Sequence, residues 1–159
     1  MNLDEILVGK LADWRPAGRQ TLHVAPEGAG WALTLSADRS DEVACLIWEL
    51  TLRRTAPAAA GQTVKAWAGR AARRVTGLLE PLKVVEVDEP RNEALLRSRE
   101  AARRGDELFY YEVLLRGTSE AQLRRYRAAA EPGSRREQIA FPLTHEAVAK
   151  LVGDLTADR

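Results

Sequence analysis

The sequence predicts one α+β domain spanning residues 1–159, a mainly antiparallel sheet packed by three helices, with a meander of three strands followed by four to five strands. Three observations carry that expectation. The hydrophobic period switches repeatedly between a helical spacing and strict alternation. Strands come in runs, with the helices set between the runs. Two stretches, Val43 to Leu52 and Leu108 to Leu115, are apolar at nearly every position, each interrupted by one carboxylate, Glu49 or Glu112. Side chains alternate between the faces of a strand, so such a segment calls for cover on both sides. A soluble antiparallel sheet usually leaves one face wet, and the second cover is expected to be a helix, another sheet or a partner chain.

Asn2 and Glu5 have the spacing of a capping box, and Leu3, Ile6, Leu7, Leu11 and Trp14 recur at helical spacing up to Pro16. Leu22 and Val24 then alternate with polar residues, Pro26 to Gly30 turns the chain, and Trp31, Leu33 and Leu35 alternate again, which makes a hairpin. After a loop of turn formers from Ala37 to Asp41, a third strand is expected to place Leu46, Trp48, Leu50 and Leu52 on one face and Val43, Cys45 and Ile47 on the other. Beyond Pro57 to Gly61, a stripe of Val64, Trp67, Ala68, Ala71, Val75, Leu78 and Leu79 marks an amphipathic helix that Pro81 stops.

Leu82 to Val87 is a strand by its β-branched content. Residues 91–104 fit either a helix or a hairpin strand plus loop; the Glu89 to Asn92 turn favours Ala94 to Ser98 folding back as a hairpin strand. Leu108 to Arg116 is the second doubly apolar strand, and Ala121 to Ala128 is polar enough to suit a sheet edge. Ile139 and Phe141 end a short strand, and Thr144 caps a last helix with Val148, Leu151, Val152 and Leu155 inside. No internal repeat or low-complexity tail stands out.

A chain of this length buries enough surface for a real core, so neither disulfides nor metals are needed for stability. The single Cys45 sits in an apolar strand pattern and reads as a small core hydrophobe in a reducing compartment. The amino terminus carries acids where a secretory signal would be basic, and no apolar run reaches the roughly 20 residues of a membrane helix. A cytoplasmic protein without a membrane partner is the expectation. The net charge of +1 provides no long-range attraction to nucleic acid or anionic lipid, although arginine far outnumbers lysine.

The residue types of several chemistries are missing. Cys45, His23 and His145 offer no paired zinc ligands, no glycine-rich loop precedes a helix, and no nucleophile elbow occurs, so neither a metal nor a cofactor is expected. His145 is expected to be a solvated first-turn residue and His23 to face water or a second layer, with a Cys45–His23 dyad as the one conceivable nucleophilic pair. Glu49 and Glu112 could divide acid and base roles in a polar pocket; the alternative is that each meets an arginine from a neighbouring strand, such as Arg97 or Arg125. Arg97, Arg99, Arg124, Arg125 and Arg127, with Arg135 and Arg136 following and Tyr126 interleaved, could form a basic strip, though Glu131 and Glu137 interrupt it. Trp31, Trp48 and Trp67 fall on expected core faces. Tyr110 shares the second face of its strand with Leu108, Glu112 and Leu114, a mixture with the composition of an interface.

The order of a helix, a three-stranded meander, a long amphipathic helix, further strands and a terminal helix resembles the type III secretion chaperones, small dimers that bind extended client segments without chemistry. The resemblance lies in element order and length and carries no motif. Those chaperones are acidic, whereas this chain is near neutral and has an extra hairpin at Leu82 to Ser98. The functional expectation is therefore a non-enzymatic protein-binding module, chaperone-like and homodimeric, that uses Ile47, Trp67, Tyr110 and Leu114. The alternatives are a small-molecule-binding protein or enzyme with a pocket at Glu49 or Glu112, and arginine-mediated binding of nucleic acid.

Overall fold

The structure, a computed structural model, describes residues 2–158. Helix α1 (Leu3–Ala12) leads into strands β1 (Gln20–Val24), β2 (Trp31–Ser40) and β3 (Ala44–Arg54). Helix α2 (Val64–Arg74) precedes β4 (Leu82–Asp88), β5 (Glu93–Ser98), β6 (Ala102–Arg104), β7 (Glu107–Arg116) and β8 (Glu120–Ala129). Two short strands, β9 (Glu137–Ile139) and β10 (Phe141–Thr144), bring the chain to helix α3 (His145–Thr156). The α+β class with a mainly antiparallel sheet is as expected, and residues 94–98 are the hairpin strand.

The strands form one open antiparallel sheet in the order β1-β2-β3-β8-β7-β5-β4, with β10 on β3, β9 on β8 and β6 on β7. Each half of the chain runs a helix and then a meander that steps from an edge of the sheet to its centre, and the halves meet where β3 pairs with β8. This parallel in element order has no counterpart in the residue pattern. Helix α1 rests on β2, α2 on β4, β5 and β7, and α3 fills the space between them against β3 and β10.

Local chemistry sets the helix ends. The Thr63 and Thr144 hydroxyls each accept a first-turn amide at 3.1 Å, from Ala66 and Ala147, and the Glu5 carboxylate accepts the Asn2 amide at 3.2 Å. Helix α2 stops at Arg74, short of the expected Leu79, because the chain turns extended at Val75. Val75 is still buried, whereas Leu79 is 77% exposed.

All three helices cover the same face of the sheet. Leu33 and Leu35 of β2, Leu50 and Leu52 of β3, Leu123 of β8, Val113 and Leu115 of β7 and Leu96 of β5 are fully buried there against Leu7, Leu11, Ala68 and Val152. Trp31 and Trp67 meet within this layer at 5.7 Å, and the Trp67 indole donates to the Leu155 carbonyl at 2.9 Å.

The expected faces of β3 are corrected by a bulge. Ser36 pairs with Glu49 and Ala37 with Ile47, so Trp48 is an extra residue in the ladder, and Asp38 is the matching extra residue on β2. A one-residue insertion reverses the alternation downstream of it. Cys45 and Ile47 before the bulge and Leu50 and Leu52 after it all point into the core, while Leu46, Trp48, Glu49 and Thr51 point out. The Trp48 carbonyl accepts the Gln138 side-chain amide at 2.9 Å. The density of apolar residues in Val43 to Leu52 thus reflects a change of phase, and this strand does not need apolar cover on both sides.

Two further expectations change. Strand β2 runs on to Ser40 through the supposed loop, and the turn shrinks to residues 41–43, where the Asp41 carboxylate accepts the amides of Val43 and Ala44 at 2.7 and 2.9 Å. Strand β8 is central, flanked by β3 and β7, and the edges of the main strand order are β1 and β4. The polarity of β8 has another origin. Its outward residues include Gln122 and Arg124, and its inward Arg125 is spent on a buried ion pair. Arg125 donates to both Glu80 oxygens at 2.8 and 3.3 Å and lies 4.1 Å from the centre of the Tyr111 ring, and the Ser98 hydroxyl donates to Glu80 at 3.0 Å.

That pair fixes the segment after α2 to the sheet, and removing one partner leaves a buried charge uncompensated. Arg125→Ala is expected to lower the unfolding free energy by about 3–5 kcal/mol in urea titrations, and replacing Arg125 and Glu80 together by Leu to recover most of the loss. A single variant as stable as the parent would contradict this assignment.

Candidate partner-binding face

The face opposite the helices is built by register. Across the centre of the sheet, Glu49, Arg124, Glu112 and Arg97 stand side by side on β3, β8, β7 and β5. The Arg97 guanidinium donates to Glu112 at 2.9 Å, and Arg136, from the loop before β9, donates to the same oxygen at 2.6 Å. Glu49 accepts from Arg124 at 3.4 Å and from the Gln122 amide. Each carboxylate therefore meets an arginine from a neighbouring strand, Glu112 meeting Arg97 as expected and Glu49 meeting Arg124; Arg125 lies on the other side of the sheet.

Burial disfavours the charges of Arg124 and Arg136. The groups beside them, Tyr126 and Glu49 for Arg124 and Glu112 and Tyr110 for Arg136, outweigh it and raise both pKa values. Arg124 stands between Glu49 and Glu112 in the ladder, so the two carboxylates share no acid–base site.

Apolar and aromatic groups flank this row. Leu95 and Leu114 face each other across β5 and β7, and Tyr110 meets Tyr126 at 5.9 Å between ring centres. Trp48 stands outward at the bulge with Arg19 stacked 3.7 Å above it, which corrects its expected place in the core. Arg136 lies 3.8 Å over the Tyr126 ring. Tyr126 is buried by this cover, while Trp48, Leu95, Tyr110 and Leu114 remain half-buried. Between Arg116 at one end and Arg124 and Arg136 at the other lies a hollow of about 250 Å³ that also includes Glu112, Leu114 and Gln122 in its lining.

The expected binding residues divide. Tyr110 and Leu114 are on this face; Ile47 and Trp67 are 0% and 2% exposed, which removes them from any surface a partner could touch. The basic strip does not form as one surface. Arg97 and Arg124 point outward into the carboxylate ladder, Arg125 is buried, Arg127 pairs with Glu137 at 2.6 Å, and Arg99 follows β5 in a loop. Alternation found the face of β7, where no bulge intervenes. It missed Trp48 because of the bulge, and Leu95 because its role depends on the β5–β7 register.

His145 is buried, in place of the expected solvated position. Its Nε2 lies 3.5 Å from the Ser40 hydroxyl, which in turn lies 3.3 Å from the Cys45 thiol. His23 is exposed on β1 beside Thr34, so it forms no dyad with Cys45. Burial raises the Cys45 pKa, the Ser40 hydrogen bond only partly offsetting it, and at neutral pH the group is a thiol. No helix among the described residues is long and apolar enough to cross a membrane. No model of a protein family matches the chain, and no curated protein or solved structure matches it.

A buried neutral thiol reacts only when the fold opens. Cys45 is expected to stay silent to an aromatic disulfide reagent at pH 8 in the folded protein and to react fully in denaturant; rapid labelling of the native chain would overturn the packing described here.

Proposed function

We propose that the chain is a non-enzymatic protein-binding module that holds its partner against the open face of the sheet. The observation that carries this reading is the composition of that face. Trp48, Tyr110, Leu95 and Leu114 are interleaved with arginines on a sheet whose other side is fully occupied by helices. Aromatic residues and arginine are the types enriched in interface centres and in their energetic hot spots. As in the chaperones that the element order resembles, binding of this kind needs no chemistry. The hollow at Glu112, where a carboxylate pocket was expected, is about 250 Å³, below the range of roughly 300–1,000 Å³ typical of small-molecule sites. The outward arginines Arg97 and Arg124 are matched by glutamates, an arrangement that does not suit a phosphate backbone.

Selection of a displayed random-peptide library on the immobilised protein tests the reading. Enriched peptides are expected to bind the parent chain and to lose about tenfold or more in affinity on Tyr110→Ser with Leu114→Ser, a loss of about 1.4 kcal/mol, while the circular dichroism and urea midpoint stay close to the parent's. If a second copy of the chain is the partner, sedimentation velocity shows a dimer that the same substitutions dissociate. Peptides that bind parent and variant equally, or an empty selection together with a monomer in sedimentation, would sink the proposal.

A further inference from the structure

We infer that the hollow between Arg116, Arg124 and Arg136 is a carboxylate pocket that receives an acidic side chain of the partner. This rests on the protein-binding reading and names the chemistry of the contact.

Donor capacity carries the inference. A guanidinium offers five N–H groups, and those around the hollow are only partly used. Arg124 makes only one long contact with a carboxylate, to Glu49 at 3.4 Å. Arg116 touches Glu120 at 3.6 Å and is 53% exposed. Arg136 is held in place from two sides, by Glu112 at 2.6 Å and by the ring of Tyr126 at 3.8 Å, so its remaining N–H groups are oriented before any ligand arrives.

Charge points the same way. Glu112 is the one carboxylate in the lining; it is 12% exposed and already shared between Arg97 and Arg136. Three arginines face the hollow against one lining acid, and with Glu49 on Arg124, Glu120 on Arg116 and Arg97 on Glu112 the cluster holds four guanidiniums against three carboxylates, an excess of one positive charge.

Shape separates a side chain from a free anion. Register places Leu114 beside Gln122 between Arg116 and Arg124, so apolar surface lies among the cationic groups. The methylene stem of a glutamate packs on Leu114 while its head reaches a guanidinium, in the planar two-point pairing that arginine makes with carboxylates. Inorganic phosphate has no group to place on Leu114.

Fluorescence anisotropy with a labelled Glu-Leu-Glu-Leu-Glu-Leu peptide, its Gln-Leu counterpart and inorganic phosphate as competitor tests the assignment. The acidic peptide is expected to bind the full chain at least about tenfold more tightly than the glutamine peptide. Arg116→Gln with Arg124→Gln should erase that difference, Arg124→Lys should retain part of it, and Arg74→Gln on the helical side should leave it intact. Equal binding of the two peptides, equal binding by parent and double variant, or a loss in Arg74→Gln as large as in the double variant would overturn the pocket. Displacement by phosphate at concentrations comparable to the peptide's would assign the hollow to a free anion and overturn the side-chain occupant. The two readings fail separately. Library peptides that depend on Tyr110 but not on an acid leave the face standing without the pocket. An arginine-dependent acidic peptide that ignores Tyr110→Ser leaves an anion site and removes the wider face.

Discussion

The extra residue at Trp48 governs how this sheet meets its surroundings. Without it, Cys45 and Ile47 would lie on the side opposite Leu50 and Leu52, and the central strand would need apolar cover front and back. With it, all four side chains enter the same core. The Trp48 carbonyl accepts the Gln138 side-chain amide at the point where β3 passes from its pairing with β10 to its pairing with β8. The short β9–β10 segment enters at the same place, since β8 pairs with β9 from Arg125 to Arg127 and β3 pairs with β10 from Ala44 to Ile47. The bulge, the Gln138 bond and the path of the chain into α3 are therefore one structural solution.

Committing Cys45, Ile47, Leu50 and Leu52 to one side frees the other for a mixed surface. That surface is ordered by pairing across strands. Opposite charges at neighbouring register positions, Glu49 by Arg124 and Glu112 by Arg97, hold long side chains flat against the sheet. Such ordering lowers the entropy a partner must remove when it binds. Edge chemistry matters as well. Strand β4 exposes Val84 and Val85, but a bulge within it and Lys83 beside it disfavour open-ended strand pairing, which leaves the face as the more suitable meeting surface.

Much of the fold was legible from residue order. Thr144 with Val148, Leu151, Val152 and Leu155 located α3, and the turn at Glu89 to Asn92 located the β4–β5 hairpin, because caps and turns act over a few residues. The outward face of β7 was legible for the same reason: alternation is local and unbroken from Leu108 to Leu115. What periodicity could not show depends on distant partners. The bulge at Trp48 is defined only against Ser36 and Ala37, the centrality of β8 only by β3 and β7, and the burial of Arg125 and His145 only by Glu80 and Ser40. A polar strand reads as an edge until its charges are seen to be paired. Arg136 shows the same limit, since its role comes from Glu112 and Tyr126 more than 9 residues away in sequence.

The phase of β3 can be measured directly by comparing Leu46→Ser with Ile47→Ser in urea unfolding. Uninterrupted alternation from Leu50 and Leu52 would bury Leu46 and expose Ile47; the bulge does the opposite. Ile47→Ser is expected to cost about 3–5 kcal/mol and Leu46→Ser less than about 1 kcal/mol. The reverse ranking, with Leu46 the costly position, would contradict the one-sided sheet on which the proposed binding face depends.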